Sequence, residues 1–493
     1  MASAGSASMS QGLRQKVLWL GPQIYDGVDL KEFENRRLVI CYDTDENSIK
    51  NALPTLKGII LVFNPSKPGT FQDHLRKYGP VAIDHGIALY QIADHDDDIL
   101  QINSIHKSLS FSYQLNYPRT KPSAAEVAEY IARHPPSPAP NPSLKIECDP
   151  AILNEIKRLL FQRAFSDCDA IHVKKVPGGR SAKVFAVYPV LTKSEVGPRP
   201  LPFFAKFDTK EKIEKELYAY DNYVTNFVPF YLRPNFDRDR CIVGYESGII
   251  VGNYAEQTET LLDEVGRGQG LEPINCLIDS TLSRWWEHAQ RRDGNLTTAM
   301  QGFFNPGGVT EKRRRQCKEL GATRCPEDLY KMLLQLPAQS YLDAPIHGDL
   351  HAKNIIVRGT DAILIDFQSA QRGPIVIDLA TLDVSLSLEV TDKEKDANRW
   401  RKLVDDVYSV NVIRNPSSLS SPSGDKLIKC IKKIRETANA KQQSQYEYVI
   451  AVAVILLRSS THPGKLEQEK YRLAYAYILA EKIILNIAKK LGV

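Results

Sequence analysis

Residues 345–382 read PIHGDLHAKNIIVRGTDAILIDFQSAQRGPIVIDLATL, with Asp349, an asparagine five positions later at Asn354, and an Asp-Phe pair twelve positions further on at Asp366. Transfer of a phosphoryl group needs divalent metal ions that bridge the nucleotide oxygens and a carboxylate that accepts the proton of the attacking hydroxyl. In H-x-D-x-x-x-x-N loops the Asp is that base and the Asn is a metal ligand, and the Asp of a following D-F-G type turn also binds metal. The spacing therefore predicts a phosphotransferase. The competing interpretation is a chance turn that the aspartates cap.

The residues between Asn354 and Asp366 predict a β-hairpin. Residues 354–357 and 362–365 are apolar, β-branched runs, and residues 358–361, Arg-Gly-Thr-Asp, have the composition of a turn. Asn354 at the start of one strand would lie beside Asp366 at the end of the other. The hairpin would thus allow two residues twelve positions apart to share a metal ion.

The chain resembles the aminoglycoside phosphotransferase and choline kinase-like family, whose fold is related to that of the protein kinases. The resemblance rests on HGDLHAKN (347–354), LIDFQSA (364–370) and IDLATL (377–382). It extends over about residues 150–490. It implies an α+β bilobal kinase-like domain with a helical C-terminal lobe, which uses ATP and Mg²⁺.

The resemblance also implies roles for side chains in these motifs. Asp349 would be the catalytic base, Asn354 and Asp366 the magnesium ligands, and Asp378 a buried acceptor that braces the catalytic loop. Helices before and after the loop would form the acceptor pocket. The acceptor itself, a small molecule or a protein that carries a hydroxyl group, does not follow from these residues.

A kinase-like domain also needs a hairpin whose small residues let backbone N–H groups approach the nucleotide phosphates. Residues 172–175 and 183–188 are strand-like and flank a turn that contains Gly178, Gly179 and Ser181. These three residues are candidate nucleotide contacts. The full G-x-G-x-x-G pattern is missing, and the alternative is an ordinary hairpin.

A strand lysine and a helical glutamate are expected next. Residues 201–207 predict an apolar strand that carries Lys206, and apolar residues at steps of three and four then predict a helix. Glu214 and Glu216 both lie on the first turns of this helix. We expect Glu216 to pair with Lys206, so that the ammonium group is held against the nucleotide phosphates. The alternative for Lys206 is a solvated lysine on an edge strand.

Residues 248–256, GIIVGNYAE, form an apolar run that ends in a small and polar turn, as expected of a hinge between two lobes. Backbone amide and carbonyl groups of this segment would bind the adenine edge. Ile250, Val251, Asn253 and Tyr254 are therefore candidate nucleotide contacts. A buried strand followed by an exit loop is the alternative.

The composition is that of a globular protein, with 43% hydrophobic and 25% charged residues. The longest apolar run, residues 448–457, is too short to cross a bilayer, so no membrane partner is expected. Eight cysteines without a C-x-x-C pair predict a reduced, cytoplasmic protein. The net charge of +5 is mild, and no nucleic-acid partner is expected. The basic run 312–318 could receive an acidic or phosphorylated partner, but we favour a solvated helix face.

The N-terminal third is predicted to be a separate α/β domain with a small parallel sheet. Strand-like runs alternate with polar or helical segments at residues 16–20, 37–41, 57–63, 81–83 and 87–90. The layout resembles a receiver or flavodoxin-like fold. The aspartate that accepts phosphate in a receiver is missing, because Asn64 follows the third strand. We interpret the domain as a degenerate receiver-like module that binds a protein partner.

The predicted plan is a disordered leader over 1–14, a receiver-like domain over 15–115, a Pro-rich linker over 116–145, a kinase-like N-lobe and hinge over 146–256, and a helical C-lobe over 257–493. The linker assignment rests on seven prolines between Pro118 and Pro142. Asp43, Asp45 and the acidic run 94–98 could bind a metal ion, but helix capping explains them at least as well.

The sequence thus predicts a kinase that transfers the γ-phosphoryl group of ATP to a hydroxyl acceptor, in a signalling or regulatory setting suggested by the extra N-terminal module. The alternative is a weak or inactive pseudokinase scaffold that binds nucleotide and partner proteins, suggested by the incomplete glycine loop. The presence of Asp349, Asn354 and Asp366 together argues against the scaffold.

Overall fold

The computed structural model describes residues 15–42, 45, 48–49, 52–109, 118–133, 138–176, 183–191, 197–389, 397–419, 426–464 and 466–493. These residues form two compact units. The first unit runs up to Glu214 and includes Asn235–Tyr254, and the second comprises Lys215–Pro234 and the residues from Ala255 onward.

The first unit begins with a parallel sheet, as the sequence predicts. Its strand order is β2-β1-β3-β4-β5. The strands are β1 (Lys16–Leu20), β2 (Val39–Cys41), β3 (Leu56–Val62), β4 (Ala88–Ala93) and β5 (Arg119–Thr120). The helices are α1 (Lys31–Asn35), α2 (Pro68–His85), α3 (Asp96–Ser108) and α4 (Ala124–Arg133). Apolar clusters lie on both faces of the sheet, which explains why its central strands are almost wholly apolar.

Two sequence predictions for this domain are corrected. The run 81–83 is not a strand but lies in α2, which buries Phe71, Leu75, Tyr78 and Ala82 at helical spacing. Residues 119–133, expected in an extended linker, instead form β5 and α4. The apolar face of α4 packs into the core of the sheet, so this segment is part of the domain. A run of three apolar residues is too short to show whether its period is that of a strand or of a helix. A count of prolines, in turn, does not reveal the apolar periodicity of α4.

The acidic segments of this domain act as caps. The carboxylate of Asp98 accepts a hydrogen bond from the backbone N–H of His95 at the start of α3, and Asp45 accepts one from the N–H of Ser48. Asp43 lies outside the described residues. Within the described part of the chain, no group of three or more His, Cys, Asp or Glu side chains is arranged to hold a metal ion.

The second sheet of the first unit has the order β10-β11-β9-β8-β7-β6 and is antiparallel except for the β6–β7 pair. Its strands are β6 (Lys145–Glu147), β7 (Ala170–Lys175), β8 (Lys183–Val190), β9 (Phe203–Thr209), β10 (Ile242–Val243) and β11 (Ser247–Asn253). Helix α5 (Glu155–Ala164) packs on this sheet through Phe161, whose ring lies 4.9 Å from that of Phe207. Helix α6 (Lys210–Ala219) follows β9 directly.

A buried arginine joins the two sheets of the first unit. Arg163 of α5 donates to the backbone oxygens of Ile83 and Asp84 at the end of α2, at 2.9 and 2.7 Å. The carboxylate of Asp84 in turn accepts a hydrogen bond from the N–H of Tyr245, between β10 and β11. A guanidinium on the carbonyl end of a helix is favourable for both charge and hydrogen bonding.

The second unit is mainly helical. Its helices are α7 (Leu261–Arg267), α8 (Leu271–Cys276), α9 (Ser283–Trp286), α10 (Leu296–Ala299), α11 (Glu311–Glu319), α12 (Pro326–Gln335), α13 (Val376–Glu389), α14 (Ala397–Val407), α15 (Val410–Arg414), α16 (Lys426–Lys441), α17 (Glu447–Ser460) and α18 (Glu467–Leu491). Three-stranded sheets join β12 (Glu259–Thr260), β15 (Ile355–Arg358) and β16 (Asp361–Leu364), and also β13 (Gln290–Gly294), β14 (Gln339–Ile346) and β17 (Gln371–Pro374).

Helices α13 and α17 are buried almost all round and form the centre of this unit. None of the described helices is both long and apolar enough to span a membrane. The basic run on α11 is not simply solvated, because Arg313 is buried and donates to the backbone oxygens of His462 and Pro463. Arg314 on the same helix pairs with Glu327.

Candidate functional site

The loop that follows β14 is held by a buried carboxylate. Asp378 on α13 accepts hydrogen bonds from the backbone N–H groups of His347 and Gly348, at 2.7 and 2.9 Å. Burial raises the pKa of the Asp378 carboxyl, although His347 and the two N–H donors act in the opposite direction. The structure therefore gives Asp378 the bracing contacts that the sequence resemblance implies.

The imidazole of His347 ties this loop to the residue before Asp366. Its Nε2 lies 2.9 Å from the backbone oxygen of Ile365, while its Nδ1 accepts a long hydrogen bond from the N–H of Asp349. These partners fit the tautomer that carries its hydrogen on Nε2. One partner of the ring is thus the predicted base Asp349, and the other is the residue next to the predicted metal ligand Asp366.

The predicted hairpin is present as β15 and β16, each displaced by one residue from its expected limits. The N–H of Ile365 donates to the backbone oxygen of Asn354 at 3.0 Å, which extends the pairing to the positions next to Asp366. The side-chain Nδ2 of Asn354 donates to the backbone oxygen of Asp349 at 2.9 Å. This bond fixes the amide so that its Oδ1 remains as an acceptor.

Asp366 adopts a left-handed backbone conformation, with φ of 65° and ψ of 72°. Non-glycine residues seldom adopt this conformation, and such strain is concentrated at functional sites. The next residue, Phe367, is fully buried, with its ring 5.6 Å from His347 and 5.8 Å from Tyr220. Packing of Phe367 thus supports the strained aspartate.

One residue that the sequence did not reveal lies against the predicted base. Arg458, near the end of α17, donates to Asp349 Oδ1 and to the backbone oxygen of Gly348, both at 3.0 Å. The other carboxylate oxygen of Asp349, Oδ2, is 3.8 Å from His351 Nε2, which is too far for a hydrogen bond. Asp349 therefore has one oxygen held by a guanidinium and one oriented beside a histidine.

The oxygen donors of this site fit a magnesium ion. Asn354 offers an amide oxygen and Asp366 a carboxylate, and Mg²⁺ is bound by hard oxygen ligands of this kind together with substrate phosphates. Bound there, the ion would supply charge neutralisation on the phosphate oxygens. Both assignments remain predictions.

Lys206 does not lie on an edge strand. It stands on β9, between Val184 of β8 and Ile250 of β11, and it is buried. Of the two glutamates on α6, Glu216 is buried, whereas Glu214 is largely exposed and lies 4.0 Å from Lys210. The burial of Glu216 is consistent with its choice over Glu214. Its pairing with Lys206 remains a prediction.

The remaining nucleotide candidates are in two segments. Gly178, Gly179 and Ser181 lie outside the described residues, although the strands that flank them are present as β7 and β8.

Ile250 and Val251 are buried on β11. The backbone N–H groups of Asn253 and Tyr254 donate to the oxygens of Asn235 and Pro202. Those two N–H groups are therefore already used, which the sequence did not show.

Comparisons with known proteins give the following matches. Residues 259–458 match the model of a family described as Ternary complex associated domain 9. No curated protein matches the sequence.

Among solved structures, the chain is similar to a thermostable mutant of aminoglycoside phosphotransferase APH(4)-Ia with ADP and hygromycin B, at 11% identity, TM-score 0.37, and coverage of 63% of this chain and 93% of that one. It is also similar to a glucosamine kinase, at 14% identity, TM-score 0.32, and coverage of 68% and 85%. A choline kinase from Cryptosporidium parvum Iowa II gives 12% identity, TM-score 0.29, and coverage of 65% and 94%.

By their names these proteins are phosphotransferases, and they include an aminoglycoside phosphotransferase and a choline kinase, the family that the sequence resembles. At such low scores, the case for the chemistry rests on the geometry of this chain.

Proposed function

We propose that the chain is an ATP- and Mg²⁺-dependent phosphotransferase that moves the γ-phosphoryl group to a hydroxyl acceptor. The observation that carries the proposal is the arrangement around Asp349. Its loop is braced by Asp378, its Oδ1 is held by Arg458, and its Oδ2 has no hydrogen bond within the described residues. A carboxylate oriented in this way and left with one open oxygen suits a general base.

The proposed reaction is an in-line displacement. The acceptor oxygen forms a bond to the γ-phosphorus, and the bond from that phosphorus to the bridging oxygen of ADP breaks, so that ADP leaves with the electron pair. Asp349 accepts the proton that the acceptor hydroxyl loses. Asn354 and Asp366 would hold the metal ion.

We assign most of the nucleotide-binding residues to the first unit. Lys206, buried on an interior strand, is proposed to contact the phosphates with Glu216 as its partner. Gly178, Gly179 and Ser181 are proposed to cover the phosphates. Ile250, Val251, Asn253 and Tyr254 are proposed to contact the base through groups other than the two N–H donors already used. In this proposal β6–β11 form the N-lobe and the helical unit forms the C-lobe.

The N-terminal sheet is proposed to be receiver-like or flavodoxin-like, since its strand order is that of flavodoxin-type folds. A regulatory setting and a protein partner for this domain are proposals from the sequence. The alternative of a nucleotide-binding scaffold makes a different prediction, because a scaffold would bind ATP without transferring phosphate.

The first prediction tests the chemistry. Purified protein is incubated with γ-labelled ATP and Mg²⁺, with and without cell extract, beside Asp349→Asn and Asp366→Ala. We expect labelled product with the intact protein, and a loss of at least about 100-fold in both variants, because they remove the base and a metal ligand.

Nucleotide affinity is measured in parallel, and we expect Asp349→Asn to keep it. Binding without any transfer by the intact protein would favour the scaffold. The absence of both would rule out a kinase.

A further inference from the structure

The guanidinium of Arg458 lies in the second unit directly beside the predicted base. Besides its bonds to Gly348 and Asp349, its Cζ atom lies 5.5 Å from the centre of the Phe303 ring. The arginine side chain is 21% exposed and that of Asp349 is 33% exposed. Arg458 is thus on the surface that an acceptor must reach in order to meet Asp349.

The position of this guanidinium is fixed before any acceptor binds. Phe303 is buried, and its ring packs beside the guanidinium of Arg458. The chain just beyond Arg458 is held by Arg313, whose guanidinium donates to the backbone oxygens of His462, Pro463 and Lys470. A preorganised cation loses less freedom on binding a ligand than a flexible one.

Arg458 also has unused donors. A guanidinium carries five N–H donors in a planar fork, and the two hydrogen bonds of Arg458 engage one each on Nη1 and Nη2. Its remaining three donors have no hydrogen-bond acceptor within the described part of the chain. Planar donors of this kind match the oxygens of carboxylate and phosphate groups.

The charges around the loop favour an acidic ligand over a basic one. The carboxylate of Asp349 is already compensated by Arg458. Glu389 on α13 pairs with Lys353, and Glu467 on α18 pairs with Lys470. The other two acids of α13 are buried, Asp383 against Arg435 and Asp378 against the N–H groups of the loop. A cationic acceptor would therefore be repelled by the guanidinium of Arg458, and none of these carboxylates would be left to pair with it.

We propose that Arg458 binds an acidic group on the acceptor, a phosphate or a carboxylate, and that the acceptor is an anionic alcohol. This inference rests on the proposed phosphotransferase function. The hydroxyl attacks the γ-phosphorus of ATP, ADP leaves with the bridging oxygen, and Oδ2 of Asp349 takes the proton. Arg458 holds the acidic group of the acceptor throughout and is a binding residue.

The test uses the full chain with γ-labelled ATP and Mg²⁺. A small-molecule extract of the source organism is first separated by ion exchange into anionic, neutral and cationic pools, and the protein fraction is kept apart. Each pool is supplied as acceptor. We expect labelled product from the anionic pool alone. Pretreatment of that pool with a phosphatase, which is then removed, distinguishes the two acids, because a phosphate-bearing acceptor is lost and a carboxylate-bearing one is kept.

Kinetics with the active pool then test Arg458 itself. We expect Arg458→Gln to raise the acceptor KM by about 10- to 100-fold and to leave the KM for ATP unchanged, while kcat falls as well because the guanidinium that holds Asp349 is lost. Arg458→Lys should recover part of the loss, since it keeps the charge without the fork. Arg284→Gln, which alters an exposed arginine of α9 in the same unit, is the matched control and should behave as the wild type.

Several results would overturn the inference. Label from the cationic or neutral pool, or from the protein fraction alone, would contradict an anionic small acceptor while leaving the phosphotransferase intact. A fall in kcat with an unchanged acceptor KM in Arg458→Gln would reduce Arg458 to a brace for Asp349. Nucleotide binding without label in any fraction would remove the proposed function itself, and the inference with it.

Discussion

At the scale of single residues, the candidate site depends on a glycine that cannot be replaced without moving Asp349. Gly348 has a φ of +75°, and a Cβ atom built on it would lie 2.3 Å from the backbone oxygen of Ser369. Its N–H is also one of the two that Asp378 holds. The residue before Asp349 is therefore fixed by conformation, by close approach and by a hydrogen bond.

Replacing Gly348 by alanine should damage both stability and transfer. We expect Gly348→Ala to lower the free energy of unfolding by about 3 kcal/mol, because the left-handed conformation and the backbone clash both oppose a Cβ. Displacement of Asp349 should lower the rate of phosphoryl transfer by roughly 100-fold. Gly359→Ala, at φ +64° in the open turn of the same hairpin, is the control and should cost only about 1 kcal/mol. Equal unfolding curves for the two variants would contradict the clash.

The sequence predicts most of the local contacts of this site but not the distant ones. Asp349, Asn354 and Asp378 lie within thirty residues of one another; the spacing of the motif suggests the loop and the hairpin, and the family resemblance implies the brace. Arg458 is 109 residues from Asp349. A basic residue in the last turn of a helix is also favourable to the helix dipole, so the sequence around Arg458 does not distinguish a residue of the site from an ordinary helix end.

At the scale of elements, the helices of the second unit meet at one buried ion pair. Asp383 of α13 accepts hydrogen bonds from Arg435 of α16, at 2.7 and 3.1 Å. The hydroxyls of Tyr408 and Tyr448 donate to the same carboxylate. Burial raises the pKa of both tyrosines well above the ordinary value, so they remain donors at all working pH values.

Breaking this pair on one side should be costly. We expect Arg435→Met to lower the free energy of unfolding by about 4 kcal/mol, because it leaves the carboxylate of Asp383 buried without a cation. Asp383→Leu with Arg435→Met should cost less than the sum of the single variants. Lys432→Met removes an exposed partner of Glu436 on the same helix and should cost under about 0.5 kcal/mol. Additive losses in urea unfolding would show that the ion pair is not coupled.

Element prediction succeeded where the pattern was long and failed where it was short. The hairpin of β15 and β16 has two apolar strands with a marked turn, and the sequence predicts each strand to within one residue. The run 81–83 is only three residues long, and it continues the spacing of α2. Residues 119–133 carry one of the prolines that suggested a linker, Pro122, but the apolar stripe of α4 outweighs it.

At the scale of the whole molecule, each unit is stabilised by polar groups buried far from the candidate site. In the first unit Arg163 joins the N-terminal domain to the second sheet. In the second unit Glu447, at the start of α17, is fully buried and accepts a hydrogen bond from the N–H of Gln443 at 2.6 Å. Its other oxygen has no hydrogen-bond partner within the described residues. A carboxyl group in such surroundings makes stability depend on pH.

The pH dependence has a definite sign. Burial raises the pKa of Glu447 from 4.5 to about 7, so between these values the folded protein holds a proton that the unfolded chain has lost. Stability therefore falls as the pH rises through this window, and the loss is complete above about pH 7. Its size is about 3 kcal/mol, at roughly 1.4 kcal/mol for each unit of pKa.

Glu447→Gln tests this dependence, because it removes the titrating group and keeps the shape of the side chain. We expect the free energy of unfolding of the wild type, relative to the variant, to fall by about 3 kcal/mol between pH 4.5 and 7.5, measured by urea unfolding at each pH. Glu436→Gln, at an exposed position on α16, should follow the wild-type curve. Parallel curves for the wild type and Glu447→Gln would mean that Glu447 is ionised in the folded protein throughout this range, and the buried carboxyl would then need a compensating cation.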